Sequence, residues 1–145
     1  NSDLALAWAV VDPKTVEKTL PSLNEMGVGK IIFFYGEFSQ KNFKLDFSRL
    51  ERILISSCEQ CGRNDLMKFD KSLDELVKFY PNVALVDFDG ENLDGYAGKE
   101  ILTIGPEGGF SQSEREAVAK QYGLRAKNIL RSQTAILGIA AKILI

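Results

Sequence analysis

Two short segments carry the residue types best suited to chemistry. The first, Gly105-Pro106-Glu107-Gly108-Gly109-Phe110-Ser111, joins the apolar run Ile101 to Ile104 to a helix start. Its glycines let the backbone adopt positive φ and approach a ligand closely, and Glu107 sets a carboxylate at the turn. It is neither a P-loop nor a dinucleotide fingerprint, because GxxxxGKS/T and GxGxxG are both absent. Taken alone, it reads either as a plain structural turn or as a ligand loop. The second segment, Asn128-Ile129-Leu130-Arg131-Ser132-Gln133-Thr134-Ala135, leads from a short extended stretch into an apolar C-terminal helix. Taken alone, it reads as a helix start capped by Ser132 or Thr134, with Arg131 a solvated charge.

Composition removes much competing chemistry. The chain contains no histidine, which excludes Ser-His-Asp and Cys-His catalysis, HExxH zinc sites and two-His iron sites together. General acid–base work falls to carboxylates, Lys or Tyr. The only cysteines, Cys58 and Cys61, form a CxxC pair that cannot build a four-ligand zinc site alone, so no metal is expected. They fall near a predicted helix C-terminus, where the dipole disfavours a thiolate, and read as buried or half-buried thiols of a protein of the reducing cytoplasm. With Lys+Arg at 18 against Asp+Glu at 20, the net charge is −2, and any nucleic-acid site must be a local patch. Lys41, Lys44, Arg49 and Arg52 read either as a phosphate-contacting patch or as a solvated helix face, and the interleaved Asp46 and Glu51 favour the solvated face. Arg63 and Asn64 read either as a solvated turn or as an RNA contact.

The elements that must position these segments follow from pattern. At 145 residues, one domain spanning 1–145 is expected, with a core that needs no disulfide. Leu4 to Val11 reads as a buried strand, and Asp12-Pro13 as an N-cap and first helical residue. The helix that follows carries Val16, Leu20, Leu23 and Met26, is expected to kink or restart at Pro21, and ends at Gly27. Lys30 to Tyr35 is a second strand. Asp46 then caps a helix with Phe47, Leu50, Leu54, Cys58 and Cys61 on one face. A short strand over Leu66 to Phe69, a Ser72/Glu75 capping box and helix to Phe79, and buried strands over Val83 to Val86 and Ile101 to Ile104 come next. Asp87 to Lys99 reads as a polar loop on the active side. A Ser111/Glu114 capping box opens a helix expected to carry Ala117, Val118 and Tyr122 and to stop at Gly123.

Strands alternating with helices predict an α/β domain with a mostly parallel sheet and ligands beyond the strands' carboxyl ends. Trp8, Phe33, Phe34 and Tyr35 are expected in its core. The longest apolar runs, Leu4 to Val11 and Ala135 to Ala141, fall short of the roughly 20 residues that span a bilayer, so no membrane segment is expected. The last helix, from Ser132, presents Ala135, Ile136, Ile139, Ala140, Ile143 and Leu144, to be buried in its own core or against a partner subunit. Asn1 is not a methionine and no basic region precedes the first apolar run, so the chain reads as processed or truncated.

The glycine turn and Ile129-Leu130-Arg131-Ser132-Gln133-Thr134-Ala135 together resemble the paired signature of the small-subunit ribosomal RNA uridine-N3 methyltransferase family, within the SPOUT superfamily. Glu25-Met26-Gly27-Val28 is similar to that family's Glu-Leu-Gly-Val, and Ser57-Cys58-Glu59-Gln60-Cys61-Gly62-Arg63 to its Ala-Cys-Glu-Gln-Ser-Gly-Arg. The resemblance implies an α/β-knot with a C-terminal deep trefoil knot, a topology that general rules would exclude, and a homodimer whose interface lies against the knot. It implies S-adenosylmethionine as cofactor, held by Leu85 and Val86, Gly105, Pro106, Glu107, Gly108 and Gly109, and Asn128, Ile129, Leu130, Arg131, Thr134 and Ala135. The implied substrate is one uridine of 16S ribosomal RNA in the small ribosomal subunit. Glu107 is the candidate base, Arg131 the candidate stabiliser of the uracil anion, and Arg63, Asn64 and Arg131 candidate RNA contacts. Two departures stand out: the family's N-terminal PUA-like RNA-binding domain is not in this chain, and Gln133 replaces a glutamate. A non-catalytic RNA- or ribosome-binding module, or a methyltransferase of another RNA, are the alternatives.

Overall fold

A computed structural model describes residues 4–57, 65–67, 72–87, 90–124 and 130–145. Cys58, Cys61, Arg63, Asn64, Asn128 and Ile129 lie outside these, and with them the thiol, RNA-contact and part of the cofactor expectations.

In chain order the elements are β1 (Ala5–Ala9), α1 (Pro13–Met26), β2 (Lys30–Phe34), α2 (Phe47–Ser57), β3 (Asp65–Met67), α3 (Leu73–Phe79), β4 (Val83–Asp87), β5 (Glu91–Asn92), β6 (Ile101–Ile104), α4 (Gln112–Ala117), β7 (Lys120–Gly123) and α5 (Ser132–Leu144). Among the described residues the strands form one sheet ordered β3-β2-β1-β6-β4-β7-β5, every adjacent pair parallel. Parallel strands covered on both faces require apolar residues on both, and the side chains divide accordingly. Leu6, Trp8, Ile31, Phe33, Leu102 and Ile104 pack with α1, α2 and α5 on one face. Ala7, Ala9, Ile32, Phe34, Val83 and Leu85 pack with Leu73 and Leu76 of α3 and with Phe110 on the other.

The local signals act largely as the sequence indicates. Asp12 Oδ1 accepts from the Lys14 amide at 3.2 Å with Pro13 at the first helical position, and Gly27 at φ 95° ends α1. Asp46 Oδ1 accepts from the Arg49 amide at 3.1 Å, one residue before α2 begins. Ser111 and Glu114 form the full reciprocal capping box.

Three expectations need correction. α1 runs unbroken through Pro21, because the fully buried Leu20 and Leu23 hold the chain against the sheet on both sides of the missing amide donor. The helix opened by Ser111 ends at Ala117, and Lys120 to Gly123 forms β7 beside β4. Val118 is already extended (φ −114°, ψ 149°), and as a strand residue Tyr122 becomes 1% exposed and places its hydroxyl 3.1 Å from Glu100 Oε1. Burial of an aromatic with a satisfied hydroxyl outweighs the helical spacing of Ala117, Val118 and Tyr122. The polar segment after Asp87 also holds structure: Glu91 and Asn92 pair with β7, and a 3₁₀ turn over Leu93 to Gly95 follows.

At the start of α5, Arg131 occupies the cap position with no side-chain cap bond. Ser132 is buried and accepts from Trp8 Nε1 at 2.6 Å, across 124 positions of sequence. Within this chain Ile136, Ile139 and Ala140 are core residues, whereas Ile143 and Leu144 are half-buried and Ile145 is 89% exposed.

Candidate functional site

The sheet order sets β6, β4 and β7 side by side and parallel, so their carboxyl ends emerge at one edge. In register, Val86 lies beside Ile104 on one side and Tyr122 on the other, and Asp87 beside Gly123. Leu85 and Val86 therefore stand between the glycine turn that follows β6 and the segment that follows β7. Ligands of open parallel sheets bind at such a place.

The glycine turn is built by close approach. The Gly109 amide donates to Pro106 O at 2.9 Å, and Gly109 takes φ 75°, a value that disfavours any side chain. A Cβ on Gly108 would stand 3.0 Å from Phe38 Cβ, so residue 108 must be small to admit the loop after β2. Pro106 is buried, while Glu107 and Gly108 face solvent.

Buried Glu114 binds this turn to its neighbour. Its Oε1 accepts from the Ser111 amide and its Oε2 from the Glu37 amide, both at 2.9 Å. Hydrogen bonds from Ser111 and Ser113 hold the exposed Glu37 carboxyl below its ordinary range. From α4, Arg115 Nε reaches Asp87 Oδ2 at 2.7 Å and ties the helix to the end of β4.

On the third side, Leu130 lines a cleft of about 190 Å³ with Leu93, Gly123, Leu124, Gly138 and Lys142. Arg131 and Thr134 are exposed and Ala135 is half-buried at the start of α5, whose buried face joins β6 and α1 in one core. The described sequence candidates thus divide among the end of β4, the glycine turn and the start of α5. Asp87, Arg115, Glu37 and the full reach of Glu114 were not singled out as site residues. Glu114 announced itself as a cap, whereas Asp87 and Arg115, 28 positions apart, carry no pairing signal in sequence. Small residues, main-chain donors and acceptors and half-buried apolar side chains at one edge suit a nucleoside-sized polar ligand. Among the described residues no group of three Cys, Asp or Glu is placed to hold a metal ion, and no helix is long and apolar enough to cross a membrane.

An open parallel sheet covered by helices, with a glycine turn at this edge, defines an α/β domain, and residues 1–144 match the RNA methyltransferase domain family. The chain is 42% identical over 149 residues to "Ribosomal RNA small subunit methyltransferase E" of Helicobacter pylori (strain J99), covering 97% of this chain and 66% of that protein. It is 32% identical over 159 residues to the protein of the same name from Mesomycoplasma hyopneumoniae (strain 232), covering 98% and 69%. The solved Neisseria gonorrhoeae ribosomal RNA small subunit methyltransferase E, bound to S-adenosyl methionine, superposes with a TM-score of 0.75 at 25% identity, covering 95% of this chain and 64% of that one. The chain belongs to the ribosomal RNA small subunit methyltransferase E family, and spans about two thirds of the relatives' length.

Proposed function

We propose that this chain uses S-adenosylmethionine to methylate N3 of a uridine in 16S ribosomal RNA, within the small ribosomal subunit and in the cytoplasm. The observation that carries the reading is the convergence of the β4, β6 and β7 ends, which sets Leu85 and Val86 between the turn of Gly105 to Gly109 and the chain leading to Leu130. Similarity to relatives that carry this name, one of them solved with S-adenosyl methionine, supports it. The residues fit the cofactor: a turn whose Gly109 holds φ 75° and whose Gly105 and Gly108 lie close against Phe110 and Phe38, offering main-chain groups rather than metal ligands. The reading includes a trefoil knot formed by the C-terminal part of the chain, and a homodimer formed through the exposed end of α5.

Bound S-adenosylmethionine supplies a methyl group on a sulfonium centre. In the proposed site, Gly105 to Gly109 and Asn128 to Arg131, with Thr134 and Ala135, would hold it, while Leu85 and Val86 would exclude water. Transfer to a uracil anion destroys charge, so alignment within a desolvated pocket supplies much of the rate. Glu107 takes the N3 proton and the Arg131 guanidinium stabilises the resulting anion. Arg63 and Asn64 contact the RNA.

Titration calorimetry with S-adenosylmethionine, and with S-adenosylhomocysteine as control, tests the pocket. Saturable binding per chain, with Gln133 in place, is expected. No binding until Gln133→Glu restores it would contradict the reading. Methyl transfer to small subunits, with mapping of the mark, tests the rest: transfer that Glu107→Gln leaves intact at every pH rejects the base, and a mark outside 16S RNA rejects the substrate. Cofactor binding without transfer would leave a non-catalytic RNA-binding module.

A further inference from the structure

The loop after β2 forms a wall of the glycine turn. Its Gly36 to Ser39 segment closes on itself, with the Ser39 amide donating to Gly36 O at 3.1 Å and the Gly36 amide to Ser39 Oγ at 2.8 Å. Two further bonds fix it to α4: the Glu37 amide to Glu114 Oε2 at 2.9 Å, and Ser113 Oγ to Glu37 Oε2 at 3.1 Å. A Cβ on Gly36 would stand 3.5 Å from Pro106 Cδ, and one on Gly108 3.0 Å from Phe38 Cβ, so the two loops touch at both ends of the contact.

On this fixed segment Phe38 stays 51% exposed, although Phe33 and Phe34 just before it are buried. The same loop carries two cations, Lys41 and Lys44, whose ammonium groups stand 5.7 Å and 5.3 Å from the centroid of the Tyr35 ring, with Lys41 also close enough to the Glu37 carboxylate to help Ser111 and Ser113 lower its titration. Lys41 Nζ also donates to Gly36 O, and Tyr35 is itself anchored through its hydroxyl to Phe43 O at 2.7 Å. The loop's acidic member, Glu37, accepts from Ser113. An exposed flat ring on a preorganised backbone, with ammonium groups a few residues along the same loop, is the chemistry that receives single-stranded nucleic acid: the ring stacks on a base and the cations meet phosphates.

We infer that Phe38 is a stacking platform for a base of the substrate RNA, and that Lys41 and Lys44 contact the adjoining backbone. The inference rests on RNA being the substrate and assigns the side of the glycine turn from which the strand enters. The stretch Lys41 to Arg52 is therefore not wholly a solvated face.

Fluorescence anisotropy with a labelled, single-stranded, uridine-rich RNA oligonucleotide tests it on this chain. Phe38→Ala weakens binding about tenfold, and Phe38→Trp restores it, since stacking is sequence-tolerant and needs only a π-face. Trp8 is the sole tryptophan and is buried, so the added indole reports separately, and its emission is quenched by the RNA. The double variant Lys41→Gln/Lys44→Gln loses about 1.4 from the slope of log affinity against log salt. Unchanged affinity in Phe38→Ala, unquenched emission in Phe38→Trp, or no binding by the parent chain each overturns the inference. S-adenosylmethionine titrated into the same proteins separates the two readings: loss of cofactor binding in the parent with Phe38-dependent RNA binding intact rejects the methyltransferase reading alone.

Discussion

The bond from Trp8 to Ser132 joins the first strand to the last helix and can be tested by removing one oxygen. Trp8 is 0% and Ser132 5% exposed, and the indole N–H reaches Oγ at 2.6 Å. Ser132→Ala leaves that N–H buried and without its acceptor, which costs about 1–3 kcal/mol. For a chain of this length such a loss lowers Tm by about 3–10 °C. Trp8→Phe removes the donor as well, and the double variant should recover about 1 kcal/mol relative to the sum of the singles, because the orphaned N–H no longer exists. Urea unfolding followed by circular dichroism gives the energies, and the emission of the only tryptophan reports the local change. A Ser132→Ala midpoint equal to the parent's, or additive singles, would refute the assignment of this bond as the pin of α5. The same substitution should weaken S-adenosylmethionine binding, because Arg131 and Thr134 flank the pin.

Three further outcomes follow from the geometry. A Cβ on Gly90 would stand 2.2 Å from the Tyr122 carbonyl carbon, so Gly90→Ala forces the chain before β5 off β7 and costs about 2–4 kcal/mol in thermal or urea unfolding. Gly95→Ala, where nothing lies within 4 Å, is the control and should be nearly neutral. Glu114→Gln keeps one carbonyl acceptor but turns an amide group toward one of two backbone donors at 2.9 Å; it should cost about 1–3 kcal/mol and speed hydrogen exchange at the Glu37 amide. Burial, and then the hydrogen bond to Glu100, raise the Tyr122 hydroxyl above its ordinary range. The unfolded chain therefore sheds this proton first, near pH 10, and stability falls as pH rises from there through the folded value. Tyr122→Phe should flatten that alkaline fall in urea titrations, and an unchanged fall would remove Tyr122 as its source.

The α/β alternation, the caps at Asp12, Asp46 and Ser111, and the buried runs are legible in sequence because each rests on residues near one another in the chain. β7 is not, since Ala117, Val118 and Tyr122 also fit a helical face. What decides between the two is contact with Val86 and Glu100, which no local pattern contains. Ser132 shows the same limit: its type and place suit a cap, yet its hydroxyl serves a residue 124 positions away. The glycine turn is legible as chemistry, but of its partners only Glu114 carries a local signal, as a capping residue, whereas no pattern near Glu37 or Phe38 ties either to a turn about 70 positions away.

A turn containing three glycines in five positions would be entropically costly to hold in one shape by itself. Here its shape is imposed from outside. Phe38 packs tightly against position 108, where an added Cβ would stand 3.0 Å from its Cβ, the Pro106–Gly109 hydrogen bond closes the turn, and one buried carboxylate fixes both the helix that follows and the loop that leans on it. The ordering that a ligand would otherwise have to impose is thus already built into folding, which favours affinity through preorganisation. It also couples the two sides of the turn: a substitution that frees the loop after β2 frees the glycines as well. Loosening Glu114 should therefore weaken both S-adenosylmethionine and RNA, whereas Phe38→Ala, which keeps the backbone bonds of Glu37 and Ser39, should weaken RNA alone.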